Sequence, residues 1–258
     1  MKQIKQITLF MLVAVFTILT AGCASTQEPA DAYPNDSYEE IFQKGEKAMR
    51  KKNYSEAIKR FEAINTQYPF AKYTEIAQLH LVYAYYMSDD YAMAEASADH
   101  FIHSHPINPH VDYAYYMRGL SNYFQNMGVF ERFFAVDLAT RDLTQIKKSY
   151  EDFRDLYQKY PNSKYAPAAH QYMVYLRNVI ANHELQVANF YYKRGAYVAS
   201  ANRANNVVRH YQGAPAVKEA LTVMAQSYRK LNQRRDEHDT LKVIAYNYPD
   251  AEILKKKT

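Results

Sequence analysis

The stretch Asp99-His100-Phe101-Ile102-His103-Ser104-His105-Pro106-Ile107-Asn108-Pro109-His110 gathers four of the nine histidines in a chain of 258 residues. His100 and His103 stand three positions apart near the end of a helical stretch. They could share a face and offer two imidazole nitrogens to zinc or copper. The plainer use of the same residues is electrostatic, since histidines near a helix C-terminus interact well with its dipole and decorate a turn. His183-Glu184 is the other suggestive pair, but it lacks the second histidine of an HExxH helix. There is no GxGxxG, no phosphate-binding loop and no GxSxG. The expectation is therefore no catalytic residue, no metal site, no cofactor and no enzymatic activity.

The remaining reactive group is Cys23, the only cysteine of the chain. It follows an apolar run from Ile7 to Leu19, about 13 residues, which is too short for a bilayer core of ~30 Å that takes roughly 20 helical residues. With Lys2 and Lys5 before the run and the small Ala21 and Gly22 after it, residues 1–22 read as a secretory signal. The junction resembles the lipobox of bacterial lipoproteins, in which a lipid is joined to the thiol and the chain is cut just before it. Thr20 stands where that motif prefers leucine, and Leu19 lies one place back. An ordinary signal peptide leaving a free thiol is the alternative, but an exported protein seldom keeps one unpaired thiol without a use. The resemblance implies acylation at Cys23, and several acyl chains anchor stably where one is marginal. Ala24 after the cysteine, rather than aspartate, implies passage to the outer membrane in Gram-negative lipoproteins. Residues 23–37 are polar and proline-bearing, which suits a flexible tether. The formal charge of +5 includes Lys2 and Lys5 of the signal, so the mature chain has no basic footprint for nucleic acid.

The element that must organise everything else is a repeat. Six glycines, nine prolines and no tryptophan suggest helices with few tight turns, and Tyr68-Pro69, His105-Pro106, Tyr160-Pro161 and Tyr248-Pro249 each close a helical stretch. In residues 38–71, Ile41, Gly45, Ala48, Tyr54, Ala57, Phe61, Ile64 and Pro69 occupy the places that the tetratricopeptide repeat, a helix-turn-helix unit of about 34 residues, fills with the same residue classes. The register returns at Leu81, Tyr85, Tyr91, Ala94 and Phe101, then at Tyr116, Gly119, Asn122 and Phe153, and last at Ala225, Tyr228, Leu241 and Ile244. Between them Gly195-Ala196-Tyr197 marks a turn, Ala201, Ala204, Val207 and Val208 follow at helical spacing, and Gln212-Gly213 replaces the closing proline. Ala168 to Arg194 carries no breaker and reads as one helix of about 27 residues. The expected fold is all-α: about five repeats and ten helices in a tetratricopeptide superhelix over 38–250. Its N-terminal half is 38–161 and its C-terminal half 162–250, with a basic tail at 251–258. Such a solenoid offers a concave face to an extended partner. Most of the 26 tyrosines are expected to be structural; of the three in Val82-Tyr83-Ala84-Tyr85-Tyr86, at most two can face inward.

Residues from Met127 to Thr144 break the pattern as an insertion between the two helices of the third unit. A loop this long carrying Phe130, Phe133 and Phe134 either folds back onto the solenoid or meets a partner.

Several linear motifs sit on this framework: Gln67-Tyr68-Pro69-Phe70, Leu81-Val82-Tyr83-Ala84-Tyr85-Tyr86, Tyr116-Met117-Arg118-Gly119-Leu120, Phe133-Phe134, Tyr160-Pro161-Asn162-Ser163, Arg194-Gly195-Ala196 and Asn202-Arg203. Together with the lipobox they resemble, in order and over nearly the whole mature chain, the family of outer-membrane assembly lipoproteins known as BamD, YfiO or ComL. The likeness is weakest after residue 212. It implies a non-enzymatic scaffold of the β-barrel assembly machine, anchored in the outer membrane and facing the periplasm. The partners it implies are the periplasmic domains of the barrel subunit BamA, the other lipoproteins of the machine, and unfolded outer-membrane barrel chains. Under the same resemblance Tyr68, Phe70, Tyr85 and Arg118 would face substrate, while Arg194 and Arg203 would face the barrel subunit. Another envelope tetratricopeptide lipoprotein, pilotin-like or linked to peptidoglycan, would share the anchor and repeats but not the insertion and motif set.

Overall fold

The computed structural model describes residues 33–255 apart from 126, 128–138 and 140–141. Cys23, most of the expected tether, and Phe130, Phe133 and Phe134 of the insertion lie outside the described residues. The helices are α1 (Tyr38–Arg50), α2 (Tyr54–Gln67), α3 (Thr74–Met87), α4 (Tyr91–Ser104), α5 (Val111–Gln125), α6 (Thr144–Lys159), α7 (Ala166–Lys193), α8 (Tyr197–His210), α9 (Ala216–Lys230), α10 (Arg234–Asn247) and the short α11 (Glu252–Lys255). Among the described residues there is no strand. The ten long helices among the described residues form five antiparallel pairs, each helix packed on the next in the chain, with α3 also against α5 and α7 against α9. This is a tetratricopeptide-like α-solenoid. The long breaker-free stretch is indeed one helix, α7, of 28 residues.

Two kinds of turn repeat along the stack. Within four of the pairs the chain reverses through a residue in the left-handed region: Lys52, Asp89, Gly195 and Asn232, with φ of 58, 64, 76 and 57°. The next residue donates its amide to a carbonyl five positions back, as in Asn53 to Ala48, Asp90 to Tyr85, Ala196 to Tyr191 and Gln233 to Tyr228. That bond satisfies a carbonyl which the end of the first helix would otherwise leave orphaned. Asn53 and Asp90 then cap the following helix, their side chains accepting from the amides of Glu56 and Met93.

A second turn closes each of the five units with the same ladder of bonds: Ala71 to Tyr68 and Thr74 to Ala71 in the first, Ala251 to Tyr248 and Leu254 to Ala251 in the last. The unit that carries Gln212-Gly213 instead of proline makes it too, through Ala214 to Tyr211 and Val217 to Ala214. Residues 251–255 continue the pattern as the start of another helix, with Ala251 and Ile253 buried against the last pair.

Packing inside the first three pairs follows a size rule, whereas the fourth sets two small residues, Ala188 and Ala204, at the same positions. Gly45 and Phe61 face each other in the first unit, where a Cβ on Gly45 would lie 2.8 Å from the Phe61 ring. Gly119 and Phe153 repeat this in the third unit at the same 2.8 Å. Counted from the turn, the corresponding residues of the second unit are Val82 and Ala98, both fully buried: the large side chain has moved to the first helix and the small one to the second. Ser149 uses the bare backbone at Gly119 to donate a buried 2.8 Å hydrogen bond to its carbonyl.

One polar cluster ties the middle of the stack. Arg118 on α5 pairs with Asp99 on α4, and its Nε lies 2.8 Å from Asp152 on α6; its guanidinium stands 5.1 Å from the centre of the Tyr115 ring. Asn122 donates to the other Asp152 oxygen at 2.7 Å. Burial pushes the Asp152 carboxyl up to about 6, against the opposing pull of Arg118 and Asn122.

Two outcomes are expected. Gly119→Val should destabilise the protein by about 1–3 kcal/mol through overpacking, because the Phe153 ring is held by stacking on Tyr172 at 4.7 Å. Adding Phe153→Ala should recover part of that loss, so a double-mutant cycle by chemical denaturation should show favourable coupling; strictly additive costs would refute the size rule. The folded protein holds the Asp152 proton to about 6, whereas an unfolded aspartate titrates near ~3.9. The contribution of this group is thus full below about pH 4 and lost as pH rises through about 6. The stability of the natural protein relative to Asp152→Asn should accordingly fall by about 1–3 kcal/mol across that window and stay level above it.

Candidate partner-binding surfaces

The residues singled out by sequence occupy different parts of the stack. Tyr68 and Phe70 belong to the turn between the first two units; Tyr68 is half-buried beside Tyr38, ring centres 5.8 Å apart, and Phe70 is 99% exposed. Tyr85, near the far end of α3, is buried and donates its hydroxyl to Glu62 on α2. Burial and that carboxylate both push its phenol upward from 10. Arg118 has a side chain only 14% exposed and is engaged by two aspartates. The structure therefore brings Tyr68 and Phe70 together in one turn and sets Tyr85 and Arg118 apart from them, within the packing between helices.

At the other end, Arg194 caps α7 and stands over the ring of Phe190, 5.2 Å from its centre. Phe190 and Val198 are 53% and 59% exposed, so this corner presents apolar surface and a guanidinium side by side. Arg203 on α8 donates to Glu184 at 3.0 Å, with side-chain exposures of 47% and 8%. Glu184 is thus a buried charge whose partner is half in solvent.

The histidines are used singly. His103 bonds the Asp99 carbonyl at 2.8 Å, and His105 reaches Gln78 at 2.9 Å. Among the described residues no three His, Cys, Asp or Glu side chains converge as metal ligands. His183 donates to the carbonyl of Ala139 at 2.6 Å, and Ala139 and Leu143 are buried, so the closing end of the insertion is docked on the solenoid.

One feature escaped sequence reading. Tyr123 of α5 and Tyr172 and Tyr175 of α7 line, with Gln171, an open cleft of about 330 Å³. Their rings meet edge to face at 5.5 and 6.1 Å, and Tyr175 is 44% exposed. The only signal in the sequence was the spacing of Tyr172 and Tyr175, which a helix turns to one face.

Among the described residues no helix is long and apolar enough to cross a membrane. The sequence profile of the YfiO family, described as outer membrane lipoprotein, matches residues 34–243. The outer membrane protein assembly factor BamD of Neisseria meningitidis serogroup B is 34% identical over 220 residues, covering 85% of this chain and 82% of its own. That of Haemophilus influenzae is 34% identical over 247 residues, covering 96% and 92%, and that of Neisseria gonorrhoeae 32% over 248 residues, covering 95% and 93%. With a family profile and relatives aligned along almost its full length, the chain belongs to the YfiO family of outer membrane lipoproteins.

Proposed function

We propose that this protein is a scaffold of the outer-membrane β-barrel assembly machine, anchored in lipid through Cys23 and facing the periplasm, that binds the barrel subunit BamA and unfolded barrel chains. The observation that carries this reading is the end-to-end match to relatives named as outer membrane protein assembly factors, borne on a repeat of helix pairs whose exposed features suit contact rather than bond chemistry.

Two surfaces support it. An unfolded barrel strand alternates apolar and polar residues and has an unpaired backbone. The tyrosine cleft between α5 and α7 offers such a chain a slot for one apolar side chain, with Gln171 beside it for a backbone group. Tyr85 and Arg118 act behind such contacts, holding α2 to α3 and α4 to α6 in register. The corner formed by Phe190, Arg194 and Val198 suits the barrel subunit, since an aromatic ring beside an arginine is the composition of an interface hot spot. Arg203 neutralises Glu184 and keeps part of its planar fork for a partner carboxylate.

Co-purification of the barrel subunit from solubilised envelopes tests the corner. Arg194→Glu should reduce capture without changing the melting temperature; full capture would remove the corner from the interface. Arg203→Leu should lower capture and also cost about 1–3 kcal/mol of stability, because Glu184 is left buried without a partner. For the cleft, Tyr175→Ala should weaken crosslinking to an unfolded barrel chain while leaving capture of the barrel subunit intact, and equal crosslinking would count against it.

A further inference from the structure

The turns between units line up along one edge of the solenoid. Asn108 of the second turn donates to Glu75 at the start of α3, and Ser163 of the third donates to Asp112 at the start of α5 at 2.6 Å. The chain also enters the solenoid at this edge, because Tyr38 at the start of α1 packs on Tyr68 and Tyr73 of the first turn, ring centres 5.8 and 6.0 Å away.

The residue after the proline is fully out in solvent in the first two turns and apolar in both: Phe70 is 99% exposed and Ile107 97%. Later turns carry Asn162, Gly213 and Asp250 in the same place. At this position the apolar residues therefore fall in the two turns nearest the N-terminal tether; at the far end the exposed ring is Tyr246, 88% exposed, which lies in α10 before its turn and carries a polar hydroxyl. The chemistry around them is that of a water–lipid boundary. Half-buried tyrosines line the edge, as in the aromatic belts of membrane proteins. Its carboxylates Glu75 and Asp112 are held by the turn residues just named. Lys72 and Lys164 lie over the rings of Tyr73 and Tyr165, at 5.4 and 5.0 Å; because amide and hydroxyl donors leave Glu75 and Asp112 charged, the edge carries both signs, and its apolar tips rather than a net charge distinguish it.

We propose that this edge is a second membrane contact: Phe70 and Ile107 insert into the headgroup boundary of the leaflet that holds the acyl chains on Cys23. The inference rests on the anchoring at Cys23. From Cys23 to Tyr33 the chain can span at most about 35 Å, so the first two turns stay within reach of the surface whatever path it takes. A lipid anchor alone leaves the body free to swing. The two inserted side chains fix which edge meets the bilayer and turn the faces of the helices toward the periplasm.

The chain has no tryptophan, so one introduced residue reports alone. The full lipidated protein with Phe70→Trp, Ile107→Trp or, on the opposite edge, Lys51→Trp would be reconstituted into phosphatidylethanolamine–phosphatidylglycerol vesicles. Emission from F70W and I107W should shift to the blue, be quenched by brominated acyl chains and resist aqueous acrylamide, whereas K51W should do none of these. Reporters at 70 and 107 that behave like K51W in protein that floats with the vesicles overturn the edge contact alone, and leave those side chains to a protein partner. Protein that does not float overturns the anchor and the edge contact together.

Discussion

The solenoid depends on how closely two antiparallel helices approach. Where Gly45 meets Phe61 and Gly119 meets Phe153, the helix backbone serves as a wall for an aromatic ring, and no atom can be added between them without displacing something. Each hairpin is too thin to bury an apolar face on its own, so its stability comes from the hairpins on either side. Close approach within a pair sets the thickness of one layer, and the layer thickness sets where the next pair can dock. Exchanging the large and small partners, as Val82 and Ala98 do, preserves that thickness with different residues.

Most of this was legible in the sequence because it is periodic. Of the positions read as repeat markers in the first unit, the structure buries Ile41, Gly45, Ala48, Ala57, Phe61 and Ile64, while Tyr54 is half-buried and Pro69, which only stops the helix, is exposed. The five pairs, the long α7 and the degenerate fourth unit followed from the same register. What was hidden was aperiodic or conformational. Of the four left-handed residues that reverse the chain within pairs only Gly195 is a glycine; Asp89 and Asn232 are types that tolerate the conformation but are common elsewhere, and Lys52 takes it because the turn's hydrogen bonds require it. Arg118 was expected to face substrate, and its partners Asp99 and Asp152, which come from two other helices, could not be paired with it from the sequence. Glu184 gave more warning, since it falls among Ala181, Leu185 and Ala188 on the buried face of α7, a place where a carboxylate needs a cation.

Charge is distributed with a consistent logic. Inside the stack, Asp152 and Glu184 each take an arginine from an adjacent helix, which costs desolvation but makes any slip of one helix past the other expose an unpaired ion. Along the turn edge, carboxylates are spent on joining one turn to the next, and lysines are left over aromatic rings. The same residue types thus fix register in the interior and leave charges of both signs along the rim.

The length of α7 has a mechanical consequence. At about 1.5 Å per residue, its 28 residues form a beam of roughly 42 Å, about twice the length of its neighbours. That beam packs on α6, α8 and α9, and it carries Leu176 and Ile180 into one core cluster and Ala181, Leu185 and Ala188 into the next, so two adjacent cores share one continuous helix. Sliding one core past the other therefore requires bending or breaking a helix rather than opening a loop.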